Sequence, residues 1–147
     1  MQDANNLTVR DVAAALESWA PPSLQESYDN SGLLVGTMSD PVASVLVSLD
    51  CTEAVVQEAI ELGATMIVSH HPIVFKGLKR FNGSTYVERT VMAAIAHGIA
   101  LYAIHTNLDN MIHGVNSTLA DRLHLGNRRI LAPIPGQMDT NGQPVGA

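Results

Sequence analysis

Three short runs rich in apolar and β-branched residues, at positions 42–49, 64–68 and 99–104, are separated by two amphipathic stretches that each close on a glycine, Gly63 or Gly98. Apolar runs of this length without alternation read as strands buried on both faces. A strand, a helix of ten or more residues and another strand form a crossover unit, and successive crossovers build a parallel sheet. The spacing predicts a helix from Thr52 to Leu62, with Val55, Val56, Ala59 and Ile60 on its apolar face. It predicts another over about 84–97, with Val87, Val91, Ala94 and Ile95 inward. Gly63 and Gly98 are the expected C-terminal stops.

Helices flank this core in the sequence. Thr8 and Asp11 have the spacing of a capping box, with Asp in place of the usual Glu. Val12, Ala15, Leu16 and Trp19 follow at helical intervals, and Pro21-Pro22 ends the segment. Tyr28-Asp29-Asn30-Ser31-Gly32 reads as a turn ahead of Leu33-Leu34-Val35-Gly36, and a last helix is expected over about 114–123, ended by Gly126. The expected fold class is α/β, with a largely parallel or mixed sheet and alternating helices. Residues 1–129 form the expected domain. Residues 130–147, rich in Pro and Gly, read as a coil tail or a junction.

The composition narrows the partners. Apolar residues make up 46% of the 147 positions and charged residues 15%, which is enough to bury a core. The net charge of −6 argues against nucleic acid as a partner, because that interface needs a basic face. No apolar stretch reaches the roughly 18–20 residues that span a bilayer, so no membrane is expected. The first residues, Met1 to Asn6, lack the basic and apolar parts of a signal peptide, and the single Cys51 forms no internal disulfide. A cytoplasmic location is the expectation, and Cys51 reads as a buried structural thiol. There is no phosphate loop, dinucleotide fingerprint or serine-hydrolase elbow.

In a parallel sheet, ligands bind beyond the carboxyl ends of the strands. Asp50, the pair His70-His71, His105 and Asp109 all fall at such ends. Imidazole is a common neutral ligand for zinc, iron, manganese, cobalt and nickel. Neighbours in an extended strand point to opposite sides. His70 and His71 therefore meet one ion only if the chain turns after the strand, and otherwise take one ion each; as plain strand-edge histidines they would hold none. Asp109 can bridge two ions or cap the following helix or turn. His105 can be a ligand, an acid/base group, an orienter of Asp109, or a satisfied strand-end histidine. Lys76, Lys79 and Arg80 form a basic cluster suited either to an anionic substrate or to solvent. His97 and His124 suit helix C-termini, and His113 reads as a loop residue.

Three segments, taken together and in this order, carry a likeness: Tyr28-Asp29-Asn30-Ser31-Gly32-Leu33-Leu34-Val35-Gly36, Ser69-His70-His71-Pro72-Ile73-Val74-Phe75-Lys76-Gly77, and His105-Thr106-Asn107-Leu108-Asp109. In them the chain resembles the Nif-three-like family of GTP cyclohydrolase 1 type 2 homologs, from about Val9 to Leu131. The resemblance implies a dinuclear metal centre, two divalent ions per subunit, in a homo-oligomer that is usually a ring-shaped hexamer. It implies that His70, His71 and Asp109 are metal ligands and that His105 lies at or near the ions. Longer members return a His and a Glu from a second half, and nothing after Asp109 matches that pair, so the resemblance implies an N-terminal half. Two functions stand. One is a metal-dependent hydrolase of a nucleotide or similar small anion, with His105 assisting proton transfer and Lys76 contacting the anion. The other is a non-catalytic metal-binding or scaffold protein.

Overall fold

A computed structural model of the chain describes residues 7–139 and 141–146. The segment Met1 to Asn6, read above as lacking a signal peptide, lies outside the described residues. Helix α1 (Val9–Trp19) opens on the expected box: the Asp11 carboxylate accepts from the Thr8 N–H at 2.8 Å and from the Thr8 hydroxyl at 2.6 Å. Helix α2 (Glu53–Leu62) is capped by the Thr52 hydroxyl, which accepts from the Val55 N–H at 3.3 Å, and ends at Gly63 with φ 68°. Helix α3 (Tyr86–Ala96) is capped in the same way by Thr85. Each cap supplies an acceptor to an N–H that has no partner within its helix.

The strands β1 (Gly32–Val35), β2 (Val45–Ser48), β3 (Met66–Ser69) and β4 (Ala100–Ala103) form one mixed sheet in the order β1-β4-β3-β2. β2, β3 and β4 are parallel, as the crossovers require. Leu33-Leu34-Val35 adds what the turn reading left out, an antiparallel edge strand on β4 with a bulge between Leu33 and Val35. β3 and β4 are buried throughout. Their side chains alternate between two cores. Met66, Val68, Ala100 and Tyr102 pack with Val9 and Ala13 of α1, while Ile67 and Leu101 pack with Val56 and Ala59 of α2 and Ala94 of α3. The apolar runs of β3 and β4 thus reflect helices on both faces, whereas the 42–49 run, expected to be buried as well, forms the edge strand β2, with Val47 75% exposed. At Gly36, φ is +97°, and an added Cβ would lie 3.0 Å from the Cβ of Ala100.

The structure corrects several expectations. The buried stripe of α1 is Val9 and Ala13, with Val12 and Leu16 at its border and Trp19 48% exposed. In α3, Val91 and Ala94 are buried but Ile95 is 58% exposed. Residues 106–109, read as a strand-end cluster or turn, form the short helix α4 (Thr106–Asp109), and α5 (Val115–Arg122) follows with no buried residue. The 130–147 segment is not all coil: β5 (Pro133–Met138) and β6 (Pro144–Gly146) make an antiparallel ribbon. The Asp139 carboxylate shapes its turn by accepting from the N–H groups of Asn141 and Gln143 at 2.8 Å each. Val145 carries the one buried side chain of the ribbon among the described residues, so no apolar period marks it, and the Gly146 N–H donates to the Asn110 carbonyl at 2.9 Å.

Asn107 and Asn110 hold α4 to the segment after α1. Asn107 Nδ2 donates to the Ala20 carbonyl at 2.7 Å, its Oδ1 accepts from the His105 N–H at 3.0 Å, and Asn110 Nδ2 donates to the Leu24 carbonyl at 2.8 Å. Both side chains are buried. Truncation of Asn107 to Ala strands the buried Ala20 carbonyl and the part-buried His105 N–H, and a loss of about 3 kcal/mol is expected in urea unfolding. Gly36→Ala places a side chain at positive φ against Ala100, with an expected loss of about 2 kcal/mol by the same measurement.

Candidate metal centre

Because β2, β3 and β4 run parallel, the residues that follow them emerge on one edge of the sheet. The ladder between β2 and β3 continues two residues past the strand, with the His70 N–H donating to the Ser48 carbonyl at 3.2 Å and the His71 N–H to the Leu49 carbonyl at 3.0 Å. Ser69 Oγ then donates to the His71 carbonyl at 2.9 Å and closes a bend. That bend meets the condition the sequence left open: the His70 and His71 rings lie 4.9 Å apart between centroids. His105, following β4, brings its ring to 5.2 Å from His70 and 5.5 Å from His71. One ring nitrogen from each of the three lies within 4.8 Å of the others, a grouping that could hold a metal ion.

Each imidazole is held from behind. His70 Nδ1 lies 2.9 Å from the Ile104 carbonyl, His71 Nδ1 2.7 Å from Asp50 Oδ1, and His105 Nδ1 2.8 Å from Asp29 Oδ1. A carbonyl or carboxylate oxygen only accepts, so Nδ1 is the donor in all three rings. In the neutral form, Nε2 then carries the free lone pair. Metal-binding histidines are oriented in this way by the partner of their second nitrogen. The supports differ in burial: the His71–Asp50 pair is half exposed, while the Asp29 side chain is fully buried.

Asp109 is one helical turn past His105, its N–H donating to the His105 carbonyl at 3.1 Å. Its Oδ1 is 3.7 Å from His70 Nε2, but it stands outside the three-histidine grouping. Lys76 is exposed and makes no ion pair among the described residues. It follows Phe75, whose ring is 6.4 Å from that of His105. Cys51 is buried, and desolvation pushes its thiol up to about 11, which keeps it protonated.

Sequence reasoning gave no role to Asp29 or to the Asp50 carboxylate. Burial alone would raise the pKa of Asp29, but hydrogen bonds from His105, Thr106, Ser31 and the Asn30 N–H outweigh it and hold the carboxyl well below the usual range. The missing signal was the direction of β1. An antiparallel β1 pairs its first residue, Gly32, with Ala103 at the end of β4, so the turn before β1 arrives beside His105.

The chain is 44% identical over 133 residues to a GTP cyclohydrolase 1 type 2 homolog of Halalkalibacterium halodurans, covering 90% of the chain and 35% of that protein. It is 38% identical to a protein of the same name from Clostridium acetobutylicum, over 86% of the chain and 47% of that protein. The solved structure of a Bacillus cereus protein related to NIF3 superposes with a TM-score of 0.83 at 39% identity, over 89% of the chain and 36% of that structure. The chain therefore spans between a third and a half of the length of these relatives. The family model described as Duf34/NIF3 (NGG1p interacting factor 3) matches residues 7–144, and with the shared fold this establishes that the chain belongs to the Duf34/NIF3 family.

Proposed function

We propose that this chain contributes a metal site to a hydrolase acting on a nucleotide or a similar small anionic molecule. The observation that carries the reading is the convergence of three imidazoles, each with Nδ1 engaged by an acceptor and Nε2 left free. In this reading His70, His71 and Asp109 hold two divalent ions, drawn from zinc, iron, manganese, cobalt or nickel. Divalent ions bound there supply Lewis acidity, polarising a substrate oxygen and lowering the pKa of water. His105, 19% exposed at its side chain, moves a proton at Nε2. Lys76, on the loop beside His105, receives the anionic group of the substrate. The working form is a cytoplasmic homo-oligomer, a hexamer by family likeness. No helix among the described residues is long and apolar enough to cross a membrane.

A second reading, a non-catalytic metal-binding or scaffold protein, draws on the sequence pattern: it carries no phosphate loop, dinucleotide fingerprint or serine-hydrolase elbow.

Metal analysis of the purified chain, paired with a nucleotide hydrolysis panel, separates the two readings. His70→Ala and Asp109→Ala are each expected to weaken metal binding by about tenfold or more and to abolish turnover. Turnover that survives both substitutions sinks the hydrolase reading, and tightly held ions with no turnover of any nucleotide favour the scaffold. Lys76→Ala is expected to leave metal content unchanged and to raise KM by about tenfold, or about 1.4 kcal/mol of binding.

A further inference from the structure

We infer that Asp29 is the positioning residue of the site, fixing both the tautomer of His105 and the seat of the helix that carries Asp109. The inference deepens the metal-site reading and rests on it only for what the oriented lone pair binds.

The Asp29 carboxylate is buried and fully committed. Oδ1 accepts from His105 Nδ1 at 2.8 Å and from the Asn30 N–H at 2.7 Å. Oδ2 accepts from Ser31 Oγ at 2.8 Å, from the Thr106 N–H at 3.1 Å and from the Thr106 hydroxyl at 2.5 Å. Five donors around one carboxylate leave it no room to rotate, since two oxygens offer about four lone-pair sites. His105 therefore meets a fixed acceptor, and its proton must sit on Nδ1 for that contact to exist. Nε2 is then an acceptor, turned to the side where His70 and His71 lie.

The second oxygen performs a different task. Thr106 opens α4, and its N–H is one of the groups a short helix leaves without an internal partner. Asp29 caps it from another segment, 77 residues away in sequence. Thr106 Oγ1 also accepts from the Glu26 N–H at 2.9 Å, which ties the same corner to the stretch before Asp29. Asp109 ends this four-residue helix and hydrogen-bonds back to the His105 carbonyl. One carboxylate thus sets the ring of His105 and the helix that presents Asp109. Asp50 holds only His71, in a half-exposed pair, and the Ile104 carbonyl holds only His70.

The test reads the imidazole tautomers directly, by long-range proton–nitrogen NMR of the metal-free chain at about pH 9, well above the ordinary imidazole range. In the wild type, His105 is expected to carry its proton on Nδ1. In Asp29→Asn, which keeps the size but offers a single acceptor oxygen, His105 is expected to shift toward the Nε2–H form while His70 keeps its Nδ1–H. Cobalt(II) added alone is expected to bind about 10–100-fold more weakly to this variant. A merely structural role would disturb His70 as much as His105, or lower stability without changing either tautomer. The inference is overturned if wild-type His105 carries its proton on Nε2 or on both nitrogens, or if Asp29→Asn retains the Nδ1–H form. Should Asp29→Asn not fold, the wild-type spectrum decides alone on the same criterion. A wild-type chain that binds no cobalt defeats the metal-site reading, and the tautomer result still decides the role of Asp29.

Discussion

Everything at the site depends on the parallel ladder of β2, β3 and β4. Parallel strands share a direction, so the residues that follow them share an edge. Asp50, His70, His71 and His105 are brought together by that rule before any side chain is considered. The ladder is held by burial on both faces, with the alternate residues of β3 and β4 sent to separate cores. The antiparallel β1 then makes the edge more than a row of ligands. By running against β4 it delivers its preceding turn, and with it Asp29, to the same place.

The segment His105-Thr106-Asn107-Leu108-Asp109-Asn110 combines chemistry with architecture, the two chemical residues standing four positions apart. His105 and Asp109 face the other histidines. Thr106 reaches back to Asp29 through part-buried hydrogen bonds, Asn107 and Asn110 reach Ala20 and Leu24 through buried ones, and Leu108 packs in the core with α1. In a region of low dielectric such polar contacts are costly to break, which is how they hold a short helix that has few internal bonds of its own. The precision of the chemical residues therefore comes from their structural neighbours.

Much of this was legible in the sequence because it rests on local rules. Caps at Thr8 and Thr52, the stop at Gly63 and the apolar runs of β3 and β4 each follow from propensity and burial within a few residues. The histidine cluster followed from strand direction. What escaped depended on partners distant in sequence. β1 is short and half buried, so its four residues gave no period, and only its pairing with β4 defines it. Asp29 looked like turn chemistry because Asn30 and Ser31 donate to it locally, while the His105 and Thr106 donors that tie it to the site lie beyond position 100. The ribbon at 133–146 was hidden for a similar reason, since one buried valine cannot make a pattern. The outward turn of Ile95 and Trp19 shows the limit of counting apolar spacing, which gives a face but not its rotation.

The supports of the three imidazoles also set an order in time. His71 meets Asp50 across 21 residues, His70 meets Ile104 across 34, and His105 meets Asp29 across 76. By loop-closure entropy alone, the last contact costs about 1 kcal/mol more to close than the first. As the chain leaves a ribosome, β2 and β3 can pair while β4 is still unmade, and His71 can find its carboxylate early. The contact between His105 and Asp29 has to wait until β4 and α4 have emerged and β1 has found its place. Oriented three-imidazole geometry is therefore a late product of folding, and a partly folded chain presents ligands without the order needed to use them together.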